Sequence, residues 1–141
     1  MASTSAICTS FKADLLAGTH VAGDVYKIAL YTSTATNGAA TAAYSATNEV
    51  TGTGYTAGGA TLTGFTIGSS GTTAWIDFTT DPTWANSTLS TVASCLIYNS
   101  TKSNKALAVF DFGGTLAATA NTTLTLTFPT ADATNALIRI A

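Results

Sequence analysis

A strict alternation of apolar and threonine side chains near the C-terminus constrains the fold more than any other feature of this chain. Leu124, Leu126 and Phe128 alternate there with threonines, and a shorter alternation runs from Tyr26 to Leu30. A period of two is the side-chain spacing of a β-strand, whereas a helix repeats every 3.6 residues. Both segments are therefore predicted to be strands with one buried face.

Five further segments are predicted to be strands, because they are rich in β-branched and aromatic residues and are bounded by turn-forming residues. No helical pattern lies between them, which excludes parallel strands joined by helical crossovers. The predicted fold is mainly β, an antiparallel β-sandwich of the jelly-roll or immunoglobulin-like kind. The five segments are Ala60–Ile67, Thr73–Phe78, Val92–Tyr98, Ala106–Phe112 and Ala136–Ile140, with turns predicted at Gly68–Gly71 and Gly113–Gly114.

One short helix is predicted before the strands. Phe11 and Leu15 lie at helical spacing, Thr9 or Ser10 is positioned to cap the first turn, and Gly18 stands where a helix commonly ends.

The chain is predicted to be undivided, because no long polar or proline-rich stretch interrupts it. Residues 1–141 are expected to form a single β-sandwich domain with an N-terminal arm and helix at about residues 1–18. The predicted core consists of Ile28, Leu30, Phe65, Ile67, Ile76, Phe78, Leu96, Tyr98, Val109, Phe110, Leu124, Leu126, Phe128, Ile138 and Ile140.

Charged residues make up only 9% of the chain, and the net charge is −2. Phosphate binding needs clustered cations, so nucleic acid is not an expected partner.

The N-terminal region has neither the basic start nor the unbroken apolar run of a signal peptide, and no membrane span is apparent. We therefore expect synthesis in the cytoplasm, no membrane partner, and reduced thiols at Cys8 and Cys95. A charge-poor surface suits permanent contact, because charges buried in an interface must be desolvated or paired.

Three patterns that could carry chemistry are better explained by structure. Thr51–Gly59 reads TGTGYTAGG, but it lacks the flanking strand, helix and lysine of a phosphate-binding loop, so its glycines are expected to allow a tight loop around Tyr55. His20 is the only histidine, and no second histidine or nearby cysteine completes a metal site with it. Asp77, Asp81, Asp111 and Asp132 could pair for glycoside cleavage, but only across a cleft that nothing else in the sequence suggests. Asp77 and Asp111 each precede a phenylalanine at a predicted strand end, where an aspartate more often ends the pairing or bonds a turn. We predict no enzyme activity, no metal and no cofactor.

Contacts with other molecules are expected in three places. Met1–Ser10 and the long strand-free segment Thr32–Gly59 are predicted to be held by neighbouring subunits. Tyr44, Tyr55 and Trp84 are the candidate interface residues. Trp84, predicted to lie in a loop, is the best candidate anchor because tryptophan buries a large area. With Trp75 and Tyr98, these residues could also form an aromatic platform for a sugar or a protein.

Four strings resemble a family of small proteins encoded by tailed phages and prophages. Together with the predicted helix they extend over nearly the whole chain; they are KIALYTS (Lys27–Ser33), NEVTGTGYTAGG (Asn48–Gly59), LIYNSTKSNKALAVFDFGG (Leu96–Gly114) and FPTADATNALIRIA (Phe128–Ala141). The resemblance implies a non-enzymatic virion structural protein, foremost a capsid decoration (cement) protein. The alternative is a tail, baseplate or fibre-associated protein, and an adhesin is a third class. The expected partners are copies of the chain itself, a trimer among the options, and the major capsid protein or another virion protein.

Overall fold

The protein, described here by a computed structural model over residues 2–141, consists of two antiparallel sheets and one helix in a β-sandwich-like arrangement. The larger sheet has the strand order β1-β7-β6-β2-β3, and the smaller has the order β4-β5-β8. The mainly β, antiparallel prediction is confirmed. The strands are β1 (Ala6–Ile7), β2 (Tyr26–Tyr31), β3 (Ala60–Leu62), β4 (Phe65–Ser70), β5 (Thr73–Phe78), β6 (Thr83–Asn99), β7 (Lys105–Thr125) and β8 (Ile138–Ile140).

The helix α1 (Thr9–Leu16) follows β1 and packs its one buried side chain, Phe11, into the core. The predicted cap is wrong, since Cys8 occupies the N-cap position and makes no side-chain hydrogen bond to the helix. The helix ends where it was expected to: Gly18 has a φ of 65° and donates its N–H to the carbonyl of Leu15. No helix within residues 2–141 is long and apolar enough to cross a membrane.

One hydrophobic cluster joins the two sheets. The ring of Tyr26 on β2 stacks on Phe65 of β4, with centroids 4.5 Å apart, and meets the edge of Phe78 on β5. Most predicted core residues are buried or half-buried, but Ile67 is 63% exposed and Ile140 is 51% exposed. Both isoleucines lie on the outer strands, β4 and β8, of the smaller sheet, where a side chain has a neighbouring strand on one side only.

The strands β6 and β7 form a long hairpin and are much longer than predicted. Gly113 and Gly114 do not reverse the chain there. Between the pairs Val92↔Leu116 and Ser94↔Asp111, β7 advances five residues while β6 advances two, so the glycines lie in a bulge of β7. The hairpin therefore continues well beyond the part that pairs with β2.

The predicted strand Ala60–Ile67 is in fact two strands in different sheets, separated at Gly64, whose φ is 72°. The short strand β1 was not predicted, and Gly68 to Ser70 belong to β4 rather than to a turn. β8 is shorter than the predicted Ala136–Ile140.

Residues 32–59 contain no strand, as predicted, and are connected to the sheet by isolated bridges such as Thr53↔Thr88. Gly52 and Gly54 allow this close approach. A Cβ at Gly52 would lie 2.4 Å from the carbonyl oxygen of Thr88, and one at Gly54 would lie 2.8 Å from the Cα of Ser87. The structural explanation of the glycine-rich motif is confirmed, because the motif packs against β6.

Candidate interaction surface

The far half of the β6–β7 hairpin carries no charged residue. We call this part, Thr83–Val92 with Leu116–Thr125, the outer ribbon. The sequence has no charged residue between Asp81 and Lys102, nor between Asp111 and Asp132. On the β7 strand of the ribbon, Ala118 is the only buried residue. The outer ribbon is thus an exposed, electrically neutral surface of threonine, alanine and leucine.

The β6 strand of the ribbon is covered on one face by the glycine-rich loop. Leu89 and Val92 are fully buried there, and Trp84 is only 4% exposed with its ring 6.2 Å from that of Tyr55. The prediction that Trp84 lies in a loop is wrong, because β6 begins at Thr83. Trp84 packs into the core of its own chain and presents almost no surface to a partner.

A groove of about 480 Å³ lies beside the end of the ribbon. Phe110 and Phe112 of β7 form one side, and the segment Thr125–Pro129 forms another. Cys95 of β6 also contributes to the lining; it is a free and buried thiol, and burial raises its pKa to about 12. The lining is predominantly apolar, so the groove suits apolar side chains rather than a charged ligand.

A second apolar surface lies where α1 meets the smaller sheet. Leu16 is 93% exposed, and Ile67 and Ile140 are more than half exposed. Two grooves of about 380 and 130 Å³ at this surface share the residues Leu15, Ile138 and Ile140. Exposed apolar patches of this kind are typical of contact sites between proteins.

The candidate interface residues Tyr44 and Tyr55 are half-buried and bind Glu49. Both hydroxyls donate to its carboxylate at 2.6 Å, and the N–H of Gly58 donates to it at 2.8 Å. Burial, with the Glu49 carboxylate second, raises the pKa of both tyrosines. The Tyr55 hydroxyl also accepts the N–H of Leu30. These tyrosines organise their own loop, and any contact that they make with a partner stays a prediction.

The aromatic side chains considered as a platform for sugars are all buried or half-buried. Tyr98 is buried, donates its hydroxyl to the carbonyl of Gly58 at 2.7 Å and stacks on Tyr44. Trp75 is half-buried on β5. Trp84 is buried as well, so two of the five side chains have almost no surface to offer a sugar.

His20 is buried in a polar network at the other end of the β6–β7 hairpin. The side-chain oxygen of Asn99 accepts the N–H groups of Thr101 and Lys102, which directs its amino group to His20 Nδ1, 3.0 Å away, and to Asp24, 2.8 Å away. His20 Nδ1 is therefore an acceptor, and the ring proton is on Nε2.

The charges around His20 are paired with each other. Asp14 accepts two bonds from Lys105 at 2.8 and 3.0 Å, and its carboxylate lies 3.4 Å from His20 Nε2, too far for a well-formed hydrogen bond. Lys105 holds the pKa of Asp14 below its ordinary value. Burial lowers the pKa of His20 and outweighs the opposing attraction of Asp14. Among residues 2–141 no group of three or more histidine, cysteine and acidic side chains could hold a metal ion.

The four aspartates considered for catalysis each accept hydrogen bonds from backbone amides. Asp111 bonds locally, as expected, but Asp77 lies within β5 and bonds a distant segment rather than a turn. Asp77 is fully buried and accepts the N–H groups of Phe78 and Leu137. Asp81 accepts from the distant Phe128, whereas Asp111 accepts from Gly113, and Asp132 from Thr134 and Asn135, all close in sequence.

The N-terminal arm has partners within its own chain. Thr4 donates to the carbonyl of Asn37, and Ser3 bonds Ser94 and Ala35. Of the predicted contact segment Met1–Ser10, Met1 lies outside the described residues. Contact of the rest with neighbouring subunits stays a prediction.

The chain matches no protein-family model, no curated protein and no solved structure.

The sequence did not predict the length of the outer ribbon or its groove. The available signal was the pair of uncharged stretches on either side of the hairpin turn, which mark both strands of the ribbon.

Proposed function

We propose that this chain is a non-enzymatic structural protein of a tailed-phage virion, made in the host cytoplasm and acting by contact alone. Its foremost role is capsid decoration, in which copies of the chain bind the outer shell and add interface area. The observation that carries the proposal is the neutral, exposed outer ribbon. The family resemblance of the sequence supports the phage assignment.

A permanent contact requires at least about 1,000 Å² of buried surface. Each charge buried in such a contact would cost desolvation energy unless it were paired. The outer ribbon exposes no charge, whereas Asp14, Lys105, Asp24 and Lys102 are paired around the opposite end of the hairpin. The ribbon can therefore be buried at low cost.

Two separate surfaces suit a protein that binds both itself and a larger shell. The outer ribbon with its groove is one, and the apolar surface around Leu16, Ile67 and Ile140 is the other. We assign the second surface to the major capsid protein or another virion protein. The buried or half-buried aromatic side chains speak against the sugar-binding alternative.

Copy number in purified particles tests the role. Quantitative mass spectrometry should find this chain in an amount comparable to the major capsid protein, and particles lacking it should release DNA at a lower temperature. A few copies per particle would favour the tail, baseplate or fibre alternative. Absence from purified particles would refute the virion assignment.

The absence of catalysis has its own test. Purified protein should not hydrolyse glycans or esters. Turnover that is lost in Asp77→Ala, Asp111→Ala or His20→Ala would overturn the non-enzymatic proposal.

A further inference from the structure

The segment Thr122–Phe128, which we call the outer edge, has a free backbone edge. The N–H of Leu126 donates to the carbonyl of Pro82 at 3.1 Å, and the N–H of Phe128 donates to the Asp81 carboxylate at 2.7 Å. β7 ends at Thr125, and these two bonds continue the alternation of its backbone groups as far as Phe128. Thr123, Thr125 and Thr127 therefore direct their N–H and C=O groups to the opposite side. Within residues 2–141 no strand pairs with that side, since β1 reaches only Ala108 and Val109 of β7.

The groove of about 480 Å³ lies against this free edge. Thr125, Leu126, Thr127 and Phe128 line part of it, together with Phe110 and Phe112 of β7 and the segment 135–137. A strand added to the edge would present every second side chain to one face of the sheet, and an adjoining apolar groove can receive such side chains. The free edge and the apolar groove are the two features that a site for an added strand needs.

The outer edge also lacks the features with which proteins prevent unwanted pairing. Isolated edge strands are commonly protected by lysine, proline or a bulge. No lysine and no proline lies between Phe112 and Phe128. The extra residues of β7 itself precede the segment, between Ala118 and Thr122. The pairing shifts once more inside the segment, between Ser87↔Thr122 and Trp84↔Leu124, but there the extra residue belongs to β6.

We propose that the outer edge pairs antiparallel with the outer edge of a second copy of this chain, about a two-fold axis. The neutrality of the segment favours a second copy as the occupant. Two identical strands brought side by side repel each other if they carry charge, and these strands carry none between Asp111 and Asp132. In such a pair the threonines of one copy lie opposite threonines of the other on one face of the sheet. On the other face, leucine or phenylalanine lies opposite leucine or phenylalanine.

This inference rests on the proposed function, because it names the self-contact of the assembling protein. The strand of an unrelated virion protein would use the same backbone groups. In that case the purified chain would be monomeric, and that result would overturn the proposal.

Solution mass is the first measurement. Light scattering behind size exclusion, at protein concentrations up to about 100 µM, should give twice the 14.2 kDa of the chain. Thr125→Lys introduces a charge beside its own copy at an exposed position and should raise the dimer Kd about tenfold or more. Thr72→Lys, exposed in the turn between β4 and β5, is the matched control and should leave the Kd unchanged. Thermal unfolding checks that both variants fold.

Cysteine cross-linking then tests the pairing itself. Thr123→Cys, Thr125→Cys and Thr127→Cys are oxidised singly and in pairwise mixtures. Directly opposed residues of an antiparallel pair have Cα atoms about 4.5 to 5.5 Å apart, within the range for a disulfide. One register should form a disulfide-linked dimer rapidly, while Thr72→Cys should not. The native thiols do not interfere, because Cys8 and Cys95 are buried.

The outcomes separate this inference from the proposed function. A dimer unaffected by Thr125→Lys and not cross-linked at any of the three positions would overturn edge pairing, even if the protein is abundant in particles. A dimer that is cross-linked at the outer edge supports the inference, even if the protein is absent from purified particles.

Discussion

Removal of the Glu49 carboxylate should unfold the long loop between β2 and β3 and destabilise the whole protein. The carboxylate accepts three short hydrogen bonds, from the hydroxyls of Tyr44 and Tyr55 and from the N–H of Gly58. The Tyr55 hydroxyl in turn accepts from β2, so the effect reaches the larger sheet. Glu49 is the only glutamate of the chain, and no other acidic group in residues 2–141 contacts these two tyrosines.

The magnitude follows from the number of bonds. A hydrogen bond to a charged group contributes about 1.5 to 3 kcal/mol, and the half-buried position of Glu49 favours the lower value. Glu49→Ala loses three such bonds and should reduce the free energy of unfolding by about 4.5 kcal/mol. Glu49→Gln keeps an acceptor oxygen for Tyr55 and Gly58 but loses the charge. Glu49→Gln therefore loses the bond from Tyr44, and the two remaining bonds become neutral and about half as strong, so the free energy of unfolding should fall by about 3 kcal/mol.

Urea denaturation followed by tryptophan fluorescence measures both losses, because Trp84 packs near Tyr55. Asp111→Asn is the control: this exposed carboxylate accepts one bond, at 3.2 Å, and its loss should change the stability by no more than about 0.5 kcal/mol. The reasoning is refuted if Glu49→Ala costs less than about 1 kcal/mol, or if Gln and Ala cost the same.

Three further predictions concern other parts of the core. Gly59→Ala should reduce the free energy of unfolding by about 2 to 5 kcal/mol, because φ is 76° there and a Cβ would overlap the backbone of β2. Gly23→Ala is the control, since a Cβ there meets open space and should leave the stability nearly unchanged; chemical denaturation compares the two variants. The free energy of unfolding should fall as the pH is lowered below about 7, and most of the fall should lie below about 6.5, because the lowered pKa of His20 lets the unfolded chain bind the proton first. His20→Asn should flatten this slope, and an unchanged slope would contradict the assignment. Cys8 and Cys95 should not react with a thiol reagent at about pH 8 until the protein unfolds, because burial raises their pKa values to about 11 and 12. Fast labelling of the native protein would disprove their burial.

The sequence was sufficient to predict the class of fold because that class depends on local patterns. Alternation over Tyr26–Leu30 and β-branched composition over Thr73–Phe78 identified β2 and β5 almost to the residue. Strand lengths could not be predicted in the same way. The β6–β7 hairpin passes through several bulges, and each bulge breaks the period of two on which the prediction of a strand depends.

The candidate site could be predicted only in part, because burial depends on contacts between distant segments. Trp84 follows Pro82 and was expected in a loop, but the approach of the glycine-rich motif to β6 buries its ring. His20 gave no signal beyond being the only histidine, since its partners Asp14 and Asn99 come from α1 and β6. The isoleucines at positions 67 and 140 fit the core pattern, yet their strands are at the edges of a sheet.

The distribution of charge connects these observations. Near the turn of the β6–β7 hairpin, Lys102 and Lys105 pair with Asp24 and Asp14, and His20 stays neutral between them. At the other end, the outer ribbon has no charge to pair. A contact made through the ribbon would gain nothing from electrostatic attraction and would lose little to salt, which screens exposed charges. Its specificity must come instead from backbone hydrogen bonds and from the fit of apolar side chains, and the free outer edge and its groove offer both.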